Sequence, residues 1–129
     1  MPPADAKASF SRHYRIKSSL QIQEIVAGRR SVFVHPIKCY YRVVESSATV
    51  DSSVAVVVPK RLFPRAVDRN RLKRLMREAF RTHKYQFPDE HASGLQMQMC
   101  WIYVGKELTD FESVCQTVIQ LYQKLQKVL

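Results

Sequence analysis

Ten lysine and arginine side chains lie between Pro59 and Lys84, where Asp68 and Glu78 are the only acidic residues. The segment therefore holds a net charge of +8 out of the chain's +10. Such a charge points to a polyanionic partner, either a nucleic acid or an anionic membrane surface. Most of the ten are arginines, whose planar guanidinium groups form forked hydrogen bonds to phosphates and stack on bases.

The same segment, from about residue 65 to residue 84, is predicted to form a helix with two unlike sides. At ~100° per residue, one side collects the apolar residues and a histidine: Leu72, Leu75, Met76, Ala79, Phe80 and His83. The opposite side collects Asn70, Lys73, Arg74, Arg77, Arg81 and Lys84, with Arg71 and Glu78 on one flank and Arg69 nearer the apolar edge.

A charged helix face is usually just solvated, but this face carries almost a single sign. Like charges one turn apart, such as Lys73 and Arg77, repel by roughly a few tenths of a kcal/mol per pair. A polyanion that neutralises the face explains this cost better than solvent does.

Capping patterns predict a helix on each side of this segment. The first helix starts at Ser18, which stands at capping-box spacing from Gln21, and Gly28 suits the position just past its end. The last helix begins at Thr109, with Glu112 at capping-box spacing. Residues 1 to about 15 are polar and basic and are expected to be flexible.

Three further stretches predict strands. In the β region from roughly Val32 to Val44, Pro36 limits the early part to an edge or a bulge. From residue 37 the pattern alternates, and this places Lys38, Tyr40 and Arg42 on one face and Ile37, Cys39, Tyr41 and Val43 on the other. The apolar run at 54–58 predicts a central strand covered on both faces. The last predicted strand covers residues 95–104.

The resulting order is helix, two or three strands, helix, strand, helix. It predicts an α+β fold, a single-domain α/β sandwich over residues 1–129 with helices packed on a small mixed sheet. A polar turn from Glu45 to Ser53 and a loop at 91–94 join the strands to their neighbours.

The remaining residues argue against several other classes of protein. Cys39, Cys100 and Cys115 are widely spaced and lie in apolar stretches, so they are expected to be reduced core residues of a cytoplasmic protein. No apolar run is long enough to span a membrane, and no zinc-ligand spacing occurs. Asp89 and Glu90 lack the third acid and the lysine of a metal nuclease, which disfavours a self-sufficient nuclease.

The stretch from Val58 to Arg81 resembles the signature of the bacterial ribonuclease P protein family. That family has a buried strand, a basic pair, a short loop, Ala-Val and an Arg-Asn-Arg run that continues to Lys-Arg and Arg. The matching residues here are Lys60-Arg61, Ala66-Val67, Arg69-Asn70-Arg71, Lys73-Arg74 and Arg77. The resemblance extends from roughly Phe10 to Leu129, includes Arg15-Ile16-Lys17 before the first helix, and is weaker outside the signature.

The resemblance implies a subunit of a ribonucleoprotein enzyme that removes the 5′ leader from precursor tRNA, with the RNA as catalyst. It implies contacts to the ribonuclease P RNA from Lys60, Arg61, Arg65, Arg69, Asn70, Arg71, Lys73, Arg74, Arg77 and Arg81. No catalytic residue and no cofactor of the protein's own is expected, because the Mg²⁺ of the holoenzyme would be held mainly by RNA. Neither a membrane nor a second protein is an expected partner.

The resemblance also implies a cleft between the first helix and the sheet that holds the single-stranded leader. Lys38, Tyr40 and Arg42 fit its sheet wall, since a stackable ring between two cations suits single strands. Ile22 and Val26 fit its helix wall, where relatives are often aromatic. The alternative is an ordinary strand that faces solvent.

Two departures and one topological expectation come with the resemblance. Asp68 stands where relatives are often basic or neutral, and it suits the start of a helix by its charge. Pro64 stands where glycine is common, which makes the loop stiffer. The family implies a left-handed crossover around the basic helix, although general packing rules favour the right-handed form.

Three other functions could use a basic helix. A general RNA-binding or ribosomal protein would share the helix but has no reason to match the signature. A helix-turn-helix DNA-binding protein would need a glycine turn before its recognition helix, and residues 60–64 offer none. A membrane-surface helix is disfavoured because Leu72 to Phe80 is needed for the core.

Overall fold

A computed structural model describes residues 16, 18–45, 52–83 and 95–128. These residues form three helices and four strands in the order α1 (Ser19–Ala27), β1 (Ser31–Val34), β2 (Ile37–Glu45), β3 (Ser53–Val57), α2 (Ala66–His83), β4 (Leu95–Tyr103) and α3 (Phe111–Val128). The predicted α+β order is confirmed, with three strands before α2. The predictions for residues 1–15, for Lys84, for Asp89 and Glu90, for the loop at 91–94 and for most of the turn after Glu45 fall outside the described residues.

The strands form one mixed sheet in the order β1-β2-β4-β3. β2 pairs antiparallel with both β1 and β4, and β3 runs parallel to β4. The path from β3 through α2 to β4 is therefore a crossover between parallel neighbours, and its left-handed sense stays a prediction.

The prediction that residues 54–58 form a central strand is wrong, because β3 lies at one edge of the sheet. Val54, Ala55 and Val56 are nevertheless buried. A continuous apolar run indicates that both faces of a strand are covered. It does not indicate whether the strand has a paired neighbour on each side. Part of the outer edge is also covered, since the Ile16 amide donates a hydrogen bond to the Val54 carbonyl at 3.0 Å.

The main core lies on the face of the sheet that packs against α2 and α3. The rings of Phe80 from α2 and Tyr122 from α3 meet Trp101 of β4, with centroid distances of 5.8 Å and 6.4 Å. The predicted apolar side of α2 is confirmed at Leu72, Met76, Ala79 and Phe80, which are fully buried, while Leu75 and His83 are half-buried.

The other face of the sheet packs against α1 in a smaller cluster. Ile25 of α1 is buried against Ala55 and Cys100. Tyr40 is half-buried at the margin of this cluster, whose described sheet residues belong to β2, β3 and β4, with none from β1. The predicted alternation of β2 is confirmed, because Ile37, Cys39 and Tyr41 belong to the main core on the opposite face.

The end of α1 matches the sequence prediction, whereas the cap of the last helix differs from it by one residue. Gly28 does follow α1, but it is right-handed with φ −67°, and Arg29 is the residue with positive φ, at 57°. The last helix is capped by Asp110 and not by Thr109. The Asp110 carboxylate accepts a hydrogen bond from the Ser113 amide at 2.9 Å, and the backbone carbonyl of Asp110 accepts one from the Val114 amide.

The remaining expectations concern the cysteines and the membrane. The three cysteines are free thiols; Cys39 and Cys100 are buried, whereas Cys115 is half-buried. Burial raises the pKa of the Cys100 thiol to about 11 and raises that of Cys39 further. No helix among the described residues is both long enough and apolar enough to cross a membrane.

Candidate nucleic-acid interface

A tight turn leads from β3 into α2 and presents the first two cations. The Pro59 carbonyl accepts the amides of Leu62 and Phe63 at 3.2 Å and 3.1 Å. Phe63 is thereby buried in the main core, while Lys60 and Arg61 remain exposed on the outside of the turn. The turn explains why the two cations adjoin the start of α2.

Arg69 holds this turn against the helix. Its guanidinium Nη1 donates hydrogen bonds to the carbonyls of Phe63 at 2.9 Å and Pro64 at 2.7 Å. The sequence predicts Arg69 as an RNA contact, whereas the structure gives its guanidinium an intramolecular role. Its predicted place near the apolar edge of the helix was the only signal for this role.

The exposed side of α2 carries a band of polar and cationic residues, which we call the cationic stripe: Asn70, Arg71, Lys73, Arg74 and Arg77. Asn70, Arg71 and Arg74 are exposed, and the other two are half-buried. Because Leu72 and Met76 between them are fully buried, the helix cannot rotate to hide the stripe. The predicted separation into an apolar and a cationic side is confirmed.

The two acids of the segment pair with cations at the two ends of the stripe. Glu78 forms an ion pair with Arg81, whose Nε lies 3.2 Å from both carboxylate oxygens. The hydrogen bond from Arg81 lowers the pKa of the Glu78 carboxyl. Asp68 lies 3.9 Å from the exposed Arg65. Both acids of the segment are thus paired with cations that lie outside the stripe.

The predicted leader residues lie on the sheet face that α1 partly covers. The Lys38 ammonium is 5.0 Å from the centre of the Tyr40 ring, which is a cation–π contact. Ile22 and Val26 of α1 pack in the same cluster as that ring. The structure thus brings Tyr40 together with Lys38 on one side and with the cluster that includes Ile22 and Val26 on the other.

Arg42 is tied to two partners that the sequence did not suggest. Its Nε donates to Gln98 Oε1 at 2.7 Å, and its Nη1 forms an ion pair with Glu24 Oε2 at 3.0 Å. Gln98 lies directly opposite Arg42 in the β2–β4 register. That register is set by strands far apart in the chain, so no local pattern could have predicted the contact.

The two surfaces lie on opposite sides of the sheet. The cationic stripe points outward from a helix packed on the main core. Lys38, Tyr40 and Arg42 form what we call the Tyr40 surface, which lies beside α1 on the other face. Within the described part of the chain, no three His, Cys, Asp or Glu side chains are close enough to share a metal ion.

Comparison with known proteins gives a consistent result. The profile of the family described as "Ribonuclease P" matches residues 10–126. The chain is 32% identical over 110 residues to the ribonuclease P protein component of Porphyromonas gingivalis, which covers 84% of this chain and 80% of the relative. It is 31% identical over 128 residues to that of Chlorobium phaeobacteroides, which covers 91% of this chain and 88% of the relative.

Solved structures agree on the fold. The ribonuclease P protein of Staphylococcus aureus superposes with a TM-score of 0.62 at 25% identity, over 89% of this chain and 96% of that one. The protein from Thermotoga maritima superposes with a TM-score of 0.68 at 23% identity, over 85% and 96% of the two chains.

Proposed function

This chain belongs to the ribonuclease P protein family, and we propose that it acts as the protein subunit of a ribonucleoprotein that trims precursor tRNA. The protein binds the catalytic RNA through α2 and holds the 5′ leader of the precursor on the sheet. The RNA performs the cleavage and holds the Mg²⁺ used for it. The protein's contribution is to bind and orient the substrate.

The cationic stripe of α2 is the observation that carries this proposal. Its like charges raise the free energy of the isolated protein, since the exposed Arg71 and Arg74 stand three residues apart on the helix. The acids Asp68 and Glu78 pair with cations outside it. An RNA backbone neutralises such a stripe and releases the counterions condensed on its phosphates. Lys60 and Arg61, exposed on the turn before α2, extend the same surface.

The leader is assigned to the Tyr40 surface because the residues there suit a single strand. A half-exposed ring offers a stacking platform, and Lys38 and Arg42 on the same strand offer cations for the neighbouring phosphates. Glu24 holds the Arg42 guanidinium beside the ring. Ile22 and Val26 close the helix side of this surface with apolar contacts, where they add packing but no stacking.

The first arm of the test concerns the RNA subunit. Arg74→Ala should weaken binding to ribonuclease P RNA and lower the slope of log affinity against log salt by about 0.7 to 0.9, the share of one phosphate contact. Folding should be unchanged, because Arg74 is exposed. Lys127→Ala removes the same charge from the exposed end of α3 and should leave the slope unchanged. Equal effects of the two variants would overturn the assignment of the stripe.

The second arm concerns the leader. Tyr40→Ala should leave binding to the RNA subunit nearly intact and should weaken binding of precursor tRNA by the assembled complex. One lost stacked base corresponds to roughly a five- to hundredfold loss of affinity. The measurement is the affinity for precursors whose leaders are shortened one nucleotide at a time. An equal loss for leaderless and full-length substrates would show that the sheet face does not hold the leader.

A further inference from the structure

Phe33 is an exposed aromatic residue on the same sheet face as Tyr40. The side chains of β1 alternate, with Val32 and Val34 packed against the main core. Phe33 points to the opposite face and is 45% exposed. An aromatic ring in that position leaves apolar surface in water, which a stacked base would remove from it.

The strand register aligns Phe33 with the proposed leader residues. Phe33 pairs directly with Lys38 across the β1–β2 hairpin, and Tyr40 is the next residue along β2 on the same face. Diagonal neighbours of this kind stand roughly 7–8 Å apart. That spacing is about twice the ~3.4 Å rise of a stacked strand, so the two rings suit bases that are splayed apart. The Lys38 ammonium lies 5.0 Å from the centre of the Tyr40 ring.

The backbone around Phe33 is held on both sides. Lys124 of α3 donates a hydrogen bond to the Phe33 carbonyl at 2.6 Å, which also places a second cation at this edge of the sheet. The turn that follows β1 is fixed by a hydrogen bond from the Val104 amide to the Pro36 carbonyl at 2.8 Å. The His35 ring contacts the Phe33 ring edge-on, with 6.3 Å between the ring centroids. The phenyl ring is thus presented on a preorganised support.

We propose that Phe33 is a second base-stacking residue for the leader and that β1 extends the leader surface beyond Tyr40 by one nucleotide position. This inference rests on the proposed leader site. Lys38, which pairs with Phe33 across the hairpin, and Lys124, which donates to the Phe33 carbonyl, supply the positive charge for the phosphates beside that nucleotide. The occupant is single-stranded RNA, because a base must be unpaired to stack on a protein ring.

The test uses the assembled complex with precursor tRNAs of stepwise leader length. Phe33→Val keeps a strand-forming side chain and removes the ring. Lengthening the leader by one nucleotide at the position that reaches Phe33 should raise the affinity of the natural complex roughly five- to a hundredfold, and Phe33→Val should abolish this gain. The position should differ from the one whose gain is lost in Tyr40→Ala. Affinity for mature tRNA and for the RNA subunit should not change. Phe33→Trp should retain the gain because it restores a stacking ring.

Phe33→Trp also provides a direct optical readout. The natural chain has one tryptophan, Trp101, which is fully buried, so the added indole is an exposed reporter. Its fluorescence should change when the complex binds precursors whose leaders reach β1 and should stay constant with shorter leaders. A constant signal at every leader length would overturn the proposal.

The outcomes separate this inference from the function on which it rests. If Tyr40→Ala changes the leader-length profile and Phe33→Val does not, the Phe33 site is wrong and the leader surface stands. If neither variant changes the profile, both assignments are wrong. If Phe33→Val weakens leaderless and full-length substrates equally, the residue supports the hairpin and does not contact the leader.

Discussion

Arg69 shows that a cation in a basic segment can be part of the protein's own frame. Its guanidinium bridges the carbonyls of Phe63 and Pro64, so it joins the turn after β3 to the first turn of α2. Arg74, five residues later, is exposed and belongs to the cationic stripe. The two arginines look alike in the sequence, and only their positions around the helix distinguish them.

Arg69→Ala should therefore destabilise the protein by about 1–2 kcal/mol, because two carbonyls lose a charged donor. Arg74→Ala should change the free energy of unfolding by less than about 0.5 kcal/mol, as is usual for an exposed substitution. Urea denaturation of the two variants beside the natural protein measures both values. A stable Arg69→Ala variant would mean that its two hydrogen bonds add nothing to the fold.

Arg29 has a backbone conformation that costs the folded protein stability. It has φ 57° directly after Gly28, although glycine itself is right-handed there. A side chain in this conformation costs on the order of 1 kcal/mol or more. In Arg29→Gly the strain disappears, but the resulting gain in stability is partly offset by the greater freedom that glycine gives the unfolded chain.

Arg29→Gly should leave stability unchanged or raise it by up to about 1 kcal/mol, since the strain disappears. Arg30→Gly removes the same charge from the neighbouring position without relieving any strain, and it should destabilise. Thermal unfolding of the pair checks the difference. A lower melting temperature for Arg29→Gly than for Arg30→Gly would contradict the account.

The N-terminus of α3 illustrates how capping sets an element's boundary. Thr109 with Glu112 and Asp110 with Ser113 have the same spacing, and the sequence prediction chose the first pair. The structure uses Asp110, whose carboxylate accepts the Ser113 amide. Because this hydrogen bond favours the ionised form, it lowers the pKa of the Asp110 carboxyl below its usual value.

A carboxyl with a lowered pKa in the folded protein stabilises it above the pKa of the unfolded chain, about 3.9. That stability is lost as the pH falls through the folded value. Asp110→Ala should therefore lower the melting temperature at neutral pH, and the difference should shrink below about pH 4. Asp110→Asn keeps a cap acceptor and should melt close to the natural protein near neutral pH. A pH-independent gap for Asp110→Ala would show that the carboxylate does not cap α3.

The pairing order of the strands could not be predicted from local patterns in the sequence. Alternation correctly predicted which β2 residues share a face, because side-chain direction depends only on position along the strand. The insertion of β4 between β2 and β3 depends on pairings between distant segments, which alternation does not encode. The same limit hid the contact between Arg42 and Gln98, which exists only in this register.

The molecule as a whole places two different surfaces on opposite sides of one sheet. The stripe on α2 followed from spacing and charge alone, because helical geometry fixes which residues share a side. The proposed leader surface needed the fold as well, since Tyr40 packs in one cluster with residues of α1 only once β2, β3 and β4 are paired. In the proposed function, separate surfaces let one small protein bind the catalytic RNA and the substrate together.

The most direct test of the proposed function is the rate of 5′ cleavage of precursor tRNA by ribonuclease P RNA at low Mg²⁺, with and without the protein. The protein should raise the rate at the leader junction, because its cations help to hold two polyanions together. The double variant Arg71→Ala with Arg74→Ala should need a higher protein concentration for the same rate, whereas Lys127→Ala should match the natural chain. The protein without RNA should not cleave. Mg²⁺-dependent cleavage by rigorously RNA-free protein, or an unchanged rate when the protein is added to the RNA, would contradict the account.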